Sequence, residues 1–181
     1  SALAVHNEML ATCPELVAPL YSGYRLHHFG EQAPGDPPIT ESPIPVFSFS
    51  DGVPNVIYIR GYIDLAVDEG YYTLSELEHE ALETFDKLTT NDEFCLDMML
   101  EPGEANFTNN CLLLHRRTEF EDDAETDRRR HLLRLWLADP QRPCSDAAKV
   151  HKSAQGIVKR EGAGTYYAGP GYSRPGEDHV Y

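Results

Sequence analysis

Apolar positions recur at roughly helical spacing along the first twenty residues. Leu3, Met9, Leu10, Leu16, Val17 and Leu20 form a stripe of that period, which predicts a helix over 2–20. Pro14 breaks or restarts it, because proline has no amide proton to donate along the helix. Tyr24–Phe29 reads as a short strand. Pro34, Pro37, Pro38, Pro43 and Pro45 then make residues 30–45 a loop. Two strand-like runs follow, Val46–Ser50 and Asn55–Tyr62, and Asp51-Gly52 between them is a hairpin signal. The clearest helix is 74–88. Leu74, Leu77, Ala81, Phe85 and Leu88 share one face, and Thr73 with Glu76 matches a capping box. Glu101-Pro102-Gly103-Glu104 is a turn. Phe107–His115 and Arg130–Leu137 read as strands, joined by a charged connection from Glu119 to Arg129. No internal repeat is visible. Strands outnumber helices in this reading, which predicts a mainly β fold, a sandwich or barrel with helical cover.

Composition narrows the function classes. The chain has 181 residues, 41% hydrophobic and 10% aromatic, enough for one cored domain with a tail. Thirty acidic against fifteen basic residues give a net charge of −15, which argues against a broad phosphate-binding face. No apolar run is long enough to span a membrane, and no secretory signal is visible at the N-terminus. Cys13, Cys95, Cys111 and Cys144 are scattered without a Cys-x-x-Cys, so neither a zinc knuckle nor a disulfide scaffold fits. The expectation is a reduced, cytoplasmic, acidic protein that binds neither nucleic acid nor membrane.

Candidate chemistry gathers in the two late strands. Alternation puts Phe107, Asn109, Cys111, Leu113 and His115 on one face. Asn109 could hold that strand by hydrogen bonds, or simply bridge to backbone. In the second strand Arg130, Leu132, Arg134 and Trp136 share a face, and His131, Leu133, Leu135 and Leu137 share the other. Arginine is rarely buried without an anion, so this strand aims guanidinium groups at a carboxylate. That carboxylate could belong to a ligand or to the acidic run Glu119–Glu125, and composition leaves the two even. A lone strand histidine is more often structural than a metal ligand. The pairing of His115 with an arginine about fifteen residues later is what raises its standing. Tyr58, Arg60 and Tyr62 alternate on one strand face, which packs on the helix or lines a pocket.

The run Glu101-Pro-Gly-Glu, then Phe107-Thr-Asn-Asn-Cys-Leu-Leu-Leu-His-Arg-Arg-Thr-Glu-Phe120, then Arg129-Arg-His-Leu-Leu-Arg-Leu-Trp-Leu137, resembles the C-terminal half of the taurine dioxygenase (TauD/TfdA-like) family. The resemblance spans roughly residues 1–138 and is strongest over 101–137. It implies a double-stranded β-helix of the jelly-roll or cupin type with flanking helices. It also implies oxidation of a small organic molecule by iron(II), 2-oxoglutarate and O2, with release of succinate and CO2. The family's iron sits between two histidines and one carboxylate, with positions left open for 2-oxoglutarate and oxygen. His115 matches the distal histidine. Arg130, in an Arg-His-Leu setting like that of γ-butyrobetaine hydroxylase, matches the arginine that anchors the far carboxylate of 2-oxoglutarate. Arg134, four residues on, is its second.

The chain departs from the family pattern at its start. The first metal pair, His-x-Asp or His-x-Glu, precedes a Gly-Gly segment in the family, and no such segment is present here. His6-Asn7-Glu8 has the right letters but lies in a helical pattern, so His6 reads as structural and the chain reads as beginning after the first two ligands. The expected organisation is therefore 1–139 as the C-terminal portion of an oxygenase domain and 140–181 as a Gly/Pro/Tyr-rich tail. A small-molecule substrate is expected, with a homo-oligomer or a separate N-terminal segment left open. The competing reading is a non-catalytic β-barrel that binds a carboxylate but lacks the first iron ligands.

Overall fold

The computed structural model describes residues 1–29, 32, 35–116, 132, 133, 135 and 137. The expected N-terminal helix forms in two pieces, α1 (Ala2–Thr12) and α2 (Val17–Ser22), joined by a 3-10 turn at Pro14–Leu16. Pro14 opens that turn, where a missing amide proton costs nothing. Val5 and Met9 of α1 and Val17 and Leu20 of α2 are buried. Helix α2 ends at Gly23, with φ of 85°. A side chain there would place its Cβ 2.4 Å from the Ile44 carbonyl carbon, so only glycine lets the two chains approach.

The strand expected over Tyr24–Phe29 is reduced to two isolated bridges, Tyr24 to Ile44 and His27 to Ile39. The facing segment is rich in proline, which has no N–H for a ladder. The hairpin forms where Asp51-Gly52 signalled it. Strand β1 (Phe47–Ser50) pairs antiparallel with β2 (Val53–Val56), Phe47 opposite Val56 and Ser50 opposite Val53. Asp51 and Gly52 both take positive φ, 51° and 76°, the conformation a tight two-residue hairpin turn demands.

The second strand does not run on to Tyr62. It stops at Val56, and residues 60–68 form helix α3 (Arg60–Asp68), which corrects the strand reading of Tyr58, Arg60 and Tyr62. Ile63 and Ala66 lie three apart and are buried together, a helical spacing that outweighs the short tyrosine–arginine alternation. Arg60 Nε donates to Asp64 across one turn, and Gly70, with φ of 77°, follows the helix end. Helix α4 (Glu76–Thr89) is the expected one, but its capping box is Ser75 with Glu78, not Thr73 with Glu76. The serine hydroxyl accepts from the Glu78 amide while the Glu78 carboxylate accepts from the Ser75 amide. Of the expected stripe, Ala81 and Phe85 are buried with Leu82, whereas Leu77 is exposed.

One core joins these elements. Met9, Leu20, Tyr24, Val46, Ile63, Leu82 and Phe85 are fully buried within it, and Phe47 meets Phe85 edge to face with ring centroids 5.7 Å apart. Among the described residues the only sheet is the two-stranded hairpin, with four helices around it. The described residues thus hold one small two-stranded sheet with helices, which does not by itself confirm a double-stranded β-helix. No helix among them is long and apolar enough to cross a membrane. The 140–181 tail lies outside the described residues.

Candidate functional site

Phe107–His115 was expected to be a strand, and it is not one. A turn forms instead, built around Asn109. The Asn109 side-chain oxygen accepts the Cys111 amide at 3.0 Å, and its carbonyl accepts the Leu112 and Leu113 amides, each at 3.0 Å. Those three amides are the donors a ladder would have used. A local side-chain bond has outcompeted the sheet, as asparagine readily does. Phe107, just before the turn, is exposed.

Two backbone bonds hold the turn on the folded core. The Val56 amide at the end of β2 donates to the Cys111 carbonyl at 2.9 Å, and the Ala2 amide opening α1 donates to the Leu112 carbonyl at 3.2 Å. Leu114 packs, half-buried, on the core. His115 follows at once and is exposed. The chain is thus anchored at 111, 112 and 114, just before His115. Arg130 and Arg134 lie outside the described residues. Leu132, Leu133, Leu135 and Leu137, from the strand expected around them, are exposed and in no strand.

The other singled-out residues take structural places. His6 is buried on α1, its Nε2 sharing a 2.8 Å hydrogen bond with the Tyr21 hydroxyl and its Nδ1 lying 3.2 Å from the Asn7 side-chain oxygen. Its ring meets Phe47 edge to face. Tyr58 and Arg60 tie the start of α3 to α4 rather than lining a pocket. The Tyr58 hydroxyl donates to Asp86, and Arg60 spans Asp64, Glu83 and Asp86. Burial and then the Asp86 hydrogen bond push the Tyr58 hydroxyl above its ordinary range, so it stays a proton donor. Sequence reasoning missed this clamp, because two of its three carboxylates, Glu83 and Asp86, sit more than twenty residues from the arginine. An open, shallow groove at the start of α4, lined by Val67, Leu74, Ser75 and His79, contains none of the expected site residues.

The late turn and its histidine fall within a region that is matched as a whole. The model of the taurine catabolism dioxygenase TauD, TfdA family matches residues 1–136. The chain belongs to the TauD/TfdA family. It is also 34% identical over 140 residues to FR-33289 synthase of Streptomyces rubellomurinus, a match that takes in 76% of this chain and 41% of that protein. The chain therefore spans about two-fifths of the length of that relative. TauD/TfdA members depend on iron(II) and 2-oxoglutarate, and the family implies a cupin-like jelly roll.

The described residues contain no group of three or more histidine, cysteine, aspartate or glutamate side chains that could hold a metal, so they do not fit the whole site. No catalytic step through iron is derived from them.

Proposed function

We propose that this chain is part of an oxygenase that uses iron(II), 2-oxoglutarate and O2 to oxidise a C–H bond of a small organic molecule, releasing succinate and CO2. The family match across residues 1–136 carries the reading. His115 is the proposed iron ligand. Arg130 is the proposed partner of the far carboxylate of 2-oxoglutarate, with Arg134 beside it, because a fixed and permanently charged planar fork suits a carboxylate. The remaining iron ligands are left unassigned. The family is named for catabolism and the Streptomyces relative for synthesis, so the substrate stays at the level of a small organic molecule. The protein's share of such chemistry is to orient the target bond and exclude competing reactions.

A second reading is favoured by one observation, the lack of a three-donor group among the described residues. In that reading the chain binds a carboxylate without oxidising anything. Arg130→Ala and His115→Ala separate the two. Both substitutions should abolish succinate formation in an oxygenase. Arg130→Ala should also weaken 2-oxoglutarate binding by roughly 10–100-fold, the worth of a charge-assisted hydrogen bond. A carboxylate-binding module should lose ligand only with the arginine change and form no succinate in any variant. An anaerobic titration with iron(II) and 2-oxoglutarate, followed by the visible band of their complex, reads the metal half of the site directly.

A further inference from the structure

We infer that Tyr21 is a redox-active tyrosine: a one-electron oxidant takes an electron from its ring while its hydroxyl proton passes to His6. The inference stands apart from the iron reading above, since neither residue is among the proposed iron or 2-oxoglutarate contacts. Two bonds of the His6 ring supply the reason. Nε2 lies 2.8 Å from the Tyr21 hydroxyl, and Nδ1 lies 3.2 Å from the Asn7 side-chain oxygen. An amide oxygen only accepts, so Nδ1 carries the proton of the neutral ring. Nε2 is then the acceptor, and the Tyr21 hydroxyl donates to it. A base therefore sits within hydrogen-bond reach of the phenol before any oxidation.

The surroundings suit the exchange. His6 is 8% exposed and meets the Tyr21 and Phe47 rings edge to face, with centroids 5.7 and 4.8 Å away. Burial also holds the Tyr21 hydroxyl above its ordinary range, so the residue is a protonated phenol at neutral pH. A phenol that loses an electron becomes a strong acid and sheds its proton to the partner already bonded to it. Tyr21 itself is 38% exposed, and its ring stacks on the exposed ring of Phe49 at 6.5 Å and 17°. The electron thus leaves through an aromatic pair open to solvent, while the proton moves inward. The step balances. Tyr21 gives one electron to the oxidant and one proton to His6, leaving a neutral phenoxyl radical and an imidazolium whose Nδ1–H stays bonded to Asn7. A one-electron reductant reverses it, with the proton returning to oxygen.

The experiment uses the full 181-residue chain and the variants Tyr21→Phe, His6→Gln and His6→Leu. The oxidant is tris(bipyridine)ruthenium(III) generated by a light flash, and the phenoxyl radical is followed by its absorption and its electron paramagnetic resonance. The unaltered chain should show a fast phase of radical formation that Tyr21→Phe lacks, which separates Tyr21 from the rest of the ten tyrosines. That phase should slow in deuterated water, because the proton moves with the electron. His6→Leu should slow it about 100-fold, the low end of what a positioned general base contributes. His6→Gln should slow it as much, because an amide oxygen takes the hydrogen bond but not the proton. Thermal midpoints show which variants fold. If neither histidine variant does, the Tyr21→Phe loss and the isotope effect decide alone, since phenylalanine keeps the ring in place. A fast phase that is absent from the unaltered chain, that survives Tyr21→Phe, or that ignores deuterated water overturns the inference. So does a fast phase kept by a folded His6→Gln or His6→Leu, which would leave the His6–Tyr21 bond a purely structural one.

Discussion

Residues 1–95 and the described residues beyond them are built differently from chain of similar apolarity. In the first region apolar side chains find each other. Among the described residues every buried core residue lies between Ala2 and Phe85, drawn from α1, the 3-10 turn, α2, α3, α4, the hairpin and the loop before it. In the second region Leu96, Met98, Met99, Phe107, Leu133, Leu135 and Leu137 are exposed, and no helix or strand forms among the described residues. The second region nevertheless carries His115, the proposed iron ligand. The contrast shows that apolar content alone does not make an element. Burial needs a partner surface, and residues 96–116 are held by single backbone bonds and one packed leucine instead.

The sharpest way to break this contrast is to attack the first region at its centre. Phe85 is fully buried on α4, with Phe47 and Tyr58 both edge-on to its ring. Phe85→Ala should cost about 3–5 kcal/mol, from lost transfer free energy and the cavity left behind. Urea unfolding reads it. A loss below about 1 kcal/mol, the range of an average substitution, would mean that the core does not act as one unit.

How much of this was legible in the sequence divides along the same line. The hairpin turn was legible, because Asp51-Gly52 carries its own backbone requirement. Helix α4 was legible from Ala81 and Phe85, though its cap was placed two residues early: Thr73 and Ser75 both precede a glutamate by three. Helix α3 was not, because the alternation of Tyr58, Arg60 and Tyr62 imitates a strand, and the Asp86 partner that explains two of those side chains lies far along the chain. The late strands were read from β-like composition. Asn109 turned the first of them aside with local hydrogen bonds that a period-two pattern does not register. Family membership was legible in residues 101–137, since motif spacing survives where local structure does not. The sequence offered His115 as a proposed iron ligand and left the remaining ligands unassigned.

A middle-sized effect tests whether α4 anchors the first region through its cap. Burial alone would raise the Glu78 carboxyl, but hydrogen bonds from the Ser75 amide, the Ser75 hydroxyl and the Tyr72 hydroxyl outweigh it and hold Glu78 below its usual value of 4.5. A carboxylate lowered in the folded state adds stability that is fully present above its unfolded pKa. That contribution is lost as pH falls through the lowered folded value. Stability should therefore drop on acidification below about pH 4.5, and Glu78→Gln should flatten that part of the profile while lowering stability at neutral pH. Ser75→Ala should cost about 1 kcal/mol at neutral pH, the ordinary worth of an N-cap side chain. Urea midpoints taken from pH 3 to 7 check both, and an unchanged acid slope in Glu78→Gln would remove the cap from the account.

The smallest expected effect is the most telling for the second region. Phe107 is 85% exposed, and it directly precedes the Asn109 turn. A phenylalanine that contributed to the fold would be expected in contact with the core, as Phe47 and Phe85 are. Since Phe107 lies in water, Phe107→Ser should shift stability by no more than about 0.5 kcal/mol, the range of surface substitutions. The exposed face of Phe107 also gives the unfolded and folded states nearly equal apolar area at this position, so the urea slope should not move either. A loss comparable to that of Phe85→Ala would show that Phe107 is covered in solution, and that the two regions share one core rather than being joined by a few backbone bonds.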